Sequence, residues 1–341
     1  MEITYQKDKK VYLLSAYEIN HKNMGPQWLL SHSDRLDRFE IIDEPEQADF
    51  ILFVENHHGV DPYFRQVFGH PVYQKYAAKC VLYHDKDRSI TPMRTISPSI
   101  ETWQYRPESK APLHYLARVT ENELLNKAHD LERARKYLYS FVGSTRTNSM
   151  RLLLMALEPS RALLLDSKDE KAWELSADEK IGYEKRYLNS ILDSYFVLCP
   201  AGAGPASYRL FETMQLGRPP VIIADKIQLA DGLDWEQFSI TVKEKDVASI
   251  PLILEDRVSD AIAMGKRARA AWENQFAPGV SLQRLCEAAD KLMTHSYDFN
   301  DKIYDLLQFR GPYHLRSLMR YVVKNRKESH RRRKQAYLPY A

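Results

Sequence analysis

The stretch from Tyr195 to Trp235 constrains the fold of this chain most tightly. Two bounded apolar runs, Tyr195 to Cys199 and Val221 to Ala224, have the length and content of strands buried on both faces. Between them lie Ala-Gly202-Ala-Gly204-Pro-Ala and then Ser207-Tyr-Arg209-Leu-Phe-Glu212-Thr-Met-Gln-Leu-Gly217, which carries helical periodicity. Strand, glycine turn, helix, strand is a parallel-sheet unit, and its first turn suits an anion. Gly202 and Gly204 permit positive φ and close approach of a ligand to the backbone, while the helix opening near Ser207 offers free N–H groups and the positive end of its dipole.

A helical wheel puts Arg209, Glu212 and Thr213 on one side and Leu210, Phe211 and Met214 on the other. The second group is expected on the sheet and the first facing a crevice, with Arg209 offered to phosphate and Glu212 to ribose hydroxyls. An ordinary i, i+3 ion pair on a solvated face is the alternative.

The same residues resemble the exostosin-like glycosyltransferases. Leu-Cys-Pro-Ala-Gly, Ser207-Tyr-Arg209-Leu-Phe-Glu212, Gly217-Arg-Pro-Pro-Val with Asp225, and Asp234-Trp235 carry the likeness, and Tyr139-Ser-Phe-Val-Gly143-Ser-Thr-Arg146-Thr-Asn-Ser-Met-Arg151 is similar to the segment that opens the donor half in that family. Val81-Leu-Tyr-His-Asp85-Lys-Asp87, running on to Ser97-Pro-Ser-Ile, is similar to bacterial-type members, although Thr95-Ile-Ser-Pro stands where those have a glycine. Together the matches run from about Ala48 to Leu254. The resemblance implies an α/β chain of GT-B type, two facing Rossmann-like domains with a cleft between them. It implies inverting transfer from a UDP-linked nucleotide sugar to a glycan or lipid-linked glycan acceptor in polysaccharide biosynthesis. The donor residues so implied are Gly143, Arg146, Arg151, Gly202, Gly204, Ser207, Arg209, Glu212 and Asp225.

The catalytic base is expected from the N-terminal half. Glu55, His57, Asp85 and Asp87 each lie just past the C-terminal end of an expected strand, where open α/β sheets place their sites, and the choice among them stays open. Asp85-Lys-Asp87 also has the Asp-x-Asp spacing that can hold Mg²⁺ or Mn²⁺ against a diphosphate. With arginines and a helix dipole already available to the phosphates, neither a metal nor a cofactor is expected. A rival reading is nicotinamide chemistry, since Gly202, Gly204 and the strand-end Asp225 imitate a dinucleotide fingerprint. Ser207 in place of the third glycine and Pro205 inside the turn oppose it.

Along the 341 residues, Val11 to Ala16, Phe50 to Val54 and Lys79 to Tyr83 read as strands of an N-terminal, acceptor-side domain, 1–134. The charged run Glu121 to Lys136 reads as a helix leading into a nucleotide-sugar domain, 135–298, with strands Leu138 to Val142 and Ala162 to Leu165 and helices Met150 to Ala156 and Asp178 to Leu192. A helical extension with a basic tail follows, 299–341. Hydrophobic residues at 44% suffice for two cores and argue against general disorder. Cys80, Cys199 and Cys286 are isolated and fit reduced packing residues.

The N-terminus is polar, and Val11 to Ala16 is too short to span a bilayer, so a cytoplasmic location is expected. Between residues 324 and 341, seven basic residues face one acidic residue, whereas the whole chain carries only +3. That local cluster suits peripheral contact with an anionic membrane surface. Nonspecific nucleic-acid binding and a merely solvated end are the alternatives, and no recognition motif supports specific nucleic-acid binding.

Overall fold

The computed structural model describes residues 7–19, 25–33, 36–55, 61, 63–87, 91–116, 123–128, 133–157, 161–170 and 176–308, with Leu315, Arg316, Met319 and Val323 beyond them. The first half contains β1 (Lys9–Leu14), α1 (Gly25–His32), β2 (Phe39–Ile41), β3 (Phe50–Glu55), α2 (Arg65–Gly69), α3 (Pro71–Tyr76), β4 (Cys80–His84), β5 (Thr95–Ser97) and β6 (Lys110–Pro112). Its six-stranded sheet has the order β2-β1-β3-β4-β5-β6, with every neighbouring pair parallel. β3 and β4 are buried throughout, which is why they appear in the sequence as unbroken apolar runs.

The second half follows α4 (Glu123–Asn126) and comprises β7 (Tyr137–Gly143), α5 (Met150–Met155), β8 (Ala162–Asp166), α6 (Ala177–Leu192), β9 (Ser194–Pro200), α7 (Tyr208–Gln215), β10 (Pro220–Ile223) and β11 (Ile240–Thr241), then α8 (Ile250–Arg257), α9 (Ala261–Gln275), α10 (Pro278–Met293) and α11 (Phe299–Leu307). Its five strands are ordered β11-β10-β9-β7-β8, again all parallel. Two parallel sheets, each buried on both faces, meet along a cleft formed by the C-terminal ends of β4 and β9: the GT-B arrangement of two Rossmann-like halves.

Two expectations are corrected. The charged run Glu121 to Lys136 was read as one helix, but among the described residues only Glu123–Asn126 is helical. The stretch 135–298 was assigned as a whole to the second domain, yet α10 crosses back: Leu282, Leu285, Cys286, Ala289 and Leu292 share a core with Val11, Leu52 and Val81 of the first sheet. Arg94 fixes the end of that crossing, donating from Nε to the Leu292 carbonyl (3.1 Å) and from Nη2 to that of His295 (2.6 Å). No helix among the described residues is long and apolar enough to cross a membrane.

Candidate functional site

The site is built around the N-terminus of α7. Gly202 and Gly204 close a tight turn, the Gly202 N–H donating to the Gly204 carbonyl at 2.9 Å. Neither glycine has a positive φ, so the expectation that they supply left-handed backbone is corrected. What they supply is room. A Cβ on Gly204 would fall on the Asp87 carbonyl oxygen and Ser99 Oγ of the opposite half, and one on Gly202 would meet an Nη of Arg151 at 3.2 Å. The left-handed residue is Gly217 (φ +64°) just beyond α7, where the chain turns into β10.

Beyond the turn, Ser207 caps α7 without a side-chain capping bond. Its buried Oγ has no hydrogen-bond partner, and neither has the buried Nε of Arg209. Arg209 gives an Nη to the Val142 carbonyl, and its guanidinium lies over the Phe141 ring, 4.6 Å from the centroid. Gly143 makes that path possible, because a Cβ there would lie 2.6 Å from Arg209 Nη2. Arg151 is buried beneath both loops, donating to the Ala201 carbonyl from Nε (3.0 Å) and to that of Ser144 from Nη1 (3.0 Å). Burial, then repulsion from Arg209, pushes the Arg151 guanidinium well down, but it keeps its charge near neutrality. Glu212 is buried and accepts from the Tyr187 hydroxyl of α6.

The wheel orientation of α7 is corrected in part. Tyr208, Phe211, Glu212 and Gln215 line an open cavity of about 90 Å³ against Tyr115 and His114 of the first half. Phe211 therefore faces the junction, packing edge-on to Tyr115, whereas Thr213 is fully buried beside Cys199. The reason is that α7 is wedged between its own sheet and the other half, so it has two apolar faces instead of one.

Across the cleft, Asp85 and Asp87 follow β4. The Tyr208 hydroxyl reaches Asp85 Oδ2 at 3.5 Å, and Tyr208 stacks on Tyr115 with ring centroids 4.0 Å apart. Burial, with a further push from Asp87, holds the Asp85 carboxyl well above the ordinary range. Asp87 is more exposed, and its carbonyl accepts from Ser99 Oγ at 2.9 Å. Among the described residues, no three His, Cys, Asp or Glu side chains converge as a metal-holding group.

The family model described as the exostosin GT47 domain matches residues 58–256, more than half of the chain. The chain belongs to the exostosin GT47 family. It is similar to a probable glucuronoxylan glucuronosyltransferase of Arabidopsis thaliana, 46% identical over 71 residues, which cover 20% of this chain and 15% of that protein. It is also similar to a probable beta-1,4-xylosyltransferase of the same plant, 36% identical over 102 residues, covering 29% of this chain and 24% of that one. Each matched stretch thus spans under a quarter of the relative's length. Among solved structures it is similar to HepE of Anabaena in complex with UDP, 12% identical with a TM-score of 0.41, covering 83% of this chain and 99% of that one. A likeness so loose has no bearing on this chain's ligand.

In this exostosin-family chain, Gly143, Arg151, Gly202, Gly204, Ser207, Arg209 and Glu212 come together around the start of α7. Two other expected donor residues stand apart. Arg146 is an exposed partner of Asp169 (3.0 Å), a surface pair with little energetic weight. Asp225 is exposed and accepts the Glu244 N–H at 2.9 Å while its own N–H donates to Glu244 Oε1, so it closes a loop next to the short strand β11. Of the candidate bases, Glu55 is fully buried and holds the turn after β1, accepting the Ala16 N–H (2.7 Å) and the Ser15 hydroxyl (2.8 Å). Burial pushes it up to about 8 against those two bonds. His57 lies outside the described residues. Tyr208 was inside the motif but assigned no task, and Tyr187 and Tyr115 carried no local signal, since each matters only through a partner distant in sequence.

Proposed function

We propose that this protein is an inverting, metal-independent glycosyltransferase that moves a sugar from a UDP-linked donor to a glycan or lipid-linked glycan acceptor in polysaccharide biosynthesis. The observation that carries the reading is the pair of buried, unpartnered donors, Ser207 Oγ and Arg209 Nε, at the N-terminus of α7. A polar atom buried without a partner is costly, and a diphosphate oxygen would satisfy both while meeting the helix dipole. Glu212 on the next turn serves the ribose hydroxyls.

Asp85 is the base in this reading. It takes the proton of the acceptor hydroxyl as that oxygen bonds to the anomeric carbon; the bond from that carbon to the diphosphate breaks, and the electron pair leaves with the diphosphate toward Ser207 and Arg209. A carboxyl raised by burial is better matched to an alcohol proton than an ordinary one. Asp87 positions the loop through its backbone, and Glu55 is structural. The acceptor reaches the protein from an anionic membrane face that the basic tail, 324–341, contacts peripherally on the cytoplasmic side. The tail itself lies outside the described residues.

A screen of nucleotide sugars for slow hydrolysis without acceptor tests the function. UDP-glucuronic acid and UDP-xylose come first, carrying the sugars in the relatives' names. Turnover of a UDP-sugar that Asp85→Asn slows and EDTA spares is the expected result. Hydrolysis of none, or dependence on a divalent ion, refutes it.

A further inference from the structure

The C-terminal helix α11 is amphipathic the wrong way round for a helix that only packs on its own fold. Its inward face is polar: Asp305 (0% exposed) pairs with buried Lys110 at 3.1 Å and accepts from the Tyr297 hydroxyl at 2.6 Å, Asp301 pairs with Arg106, and Gln308 is buried. Lys110 is satisfied further by the carbonyls of Thr91 (2.7 Å) and Met93 (3.0 Å). These contacts, with a capping box from Asp298 and Asp301, orient the helix through its charges.

The apolar face points outward. Phe299 is 73% exposed, and Ile303, Leu306 and Leu307 are exposed along the same stripe, spaced i, i+4, i+7 and i+8. Leu315, Met319 and Val323, four residues apart and each in helical conformation, are exposed as well. The sequence then runs directly into Lys324, Arg326, Lys327 and the cluster Arg331-Arg332-Arg333-Lys334, with Tyr337 and Tyr340 after it. An outward apolar stripe continued by a cationic segment is the pattern of a helix lying in the headgroup region of an anionic bilayer.

We propose that the outward face of α11, carrying Phe299, Ile303, Leu306 and Leu307, is a membrane-docking surface whose occupant is an anionic lipid bilayer. Charge complementarity decides between occupants. A second copy of this chain would bring its own cationic tail to the same face, whereas an anionic lipid surface takes both the stripe and the tail. The inference builds on the peripheral contact proposed for the tail, and adds that apolar insertion through α11 carries part of the attachment.

Flotation of the full chain with phosphatidylglycerol–phosphatidylcholine vesicles tests it, without reference to transfer activity. Phe299→Asp combined with Ile303→Asp and Leu307→Asp, all at exposed positions, should lower vesicle partitioning by at least about 10-fold with the tail intact. A single Phe299→Trp should show a blue-shifted emission on adding these vesicles, and much less with pure phosphatidylcholine. An unchanged melting temperature shows that the triple variant is folded. Partitioning of the triple variant equal to wild type, or no blue shift, overturns the docking face even if the tail alone binds. A wild-type dimer that the triple variant converts to monomer assigns the face to a second copy and overturns it too. Failure of these measurements leaves the donor-hydrolysis screen unaffected, so the docking face and the transferase reading fail separately.

Discussion

Across the cleft Gly204 faces the backbone of the other half, with no room there for a side chain. In Gly204→Ala the new Cβ would lie 2.9 Å from Asp87 Cα and nearer still to the Asp87 carbonyl oxygen and Ser99 Oγ. Two of those atoms are backbone and cannot swing aside, so the loops must separate. Inserting one carbon into a packed contact of this kind costs about 1 to 3 kcal/mol. At Gly202 the comparable neighbour is the far end of the Arg151 side chain at 3.2 Å, which can yield, so Gly202→Ala should cost well under about 1 kcal/mol. The pair differs by position only; neither φ is positive, which excludes backbone strain as a cause. Chemical denaturation of both variants, with calorimetry of UDP binding, reads the difference. Gly204→Ala should lose stability or force the cleft open, and in either case weaken UDP by roughly 5-fold or more. If the two alanine variants behave alike, the argument from loop contact is wrong.

Glu212→Gln should weaken UDP binding by about 1.5 to 3 kcal/mol, the worth of a hydrogen bond to a charged group, with little change in Tm because the amide oxygen can still accept from Tyr187; unaltered affinity refutes the ribose assignment. Asp85→Asn should slow transfer and leave UDP affinity unchanged with or without EDTA, whereas weakened donor binding on chelation would make Asp85 and Asp87 metal ligands. Glu55 carries a pH test. Its carboxyl sits at about 8 in the fold against an ordinary 4.5, so between those values the folded state holds a proton that the unfolded chain has released, and stability falls as pH rises. Glu55→Gln should remove that slope, and parallel stability profiles for the two proteins across this window would overturn the burial argument.

How far the fold was legible follows from what each element buries. β3 and β9 are surrounded on both faces and appear as apolar runs, so their bounds were recovered to within a residue or so. β5 and β6 were missed because their content is polar. Thr95 and Lys110 are buried, but their polar atoms are met by Thr91, Met93 and Asp305, and partners up to 195 residues away leave no trace in a local pattern. The path of α10 was illegible for a related reason. A stripe at Leu282, Leu285, Cys286, Ala289 and Leu292 declares that one face is buried, and either parallel sheet would accept it.

The candidate site divides along the same line. Residue types were legible: glycines where a backbone must approach, a hydroxyl and an arginine at a helix start, a carboxylate one turn on. Their partners were not, because a helical wheel gives a direction and no neighbour. Arg209 illustrates the difference, since it lies over Phe141 and spends an Nη on the Val142 carbonyl while its buried Nε has no partner. That leaves it half committed to the protein and half to whatever enters the cleft, a division of one guanidinium that only its fivefold donor set allows. Lysine at this position would keep the charge and lose the division, because the three donors of an ammonium sit on one freely rotating nitrogen and cannot hold the carbonyl of β7 with one atom while a second nitrogen stays fixed at the start of α7.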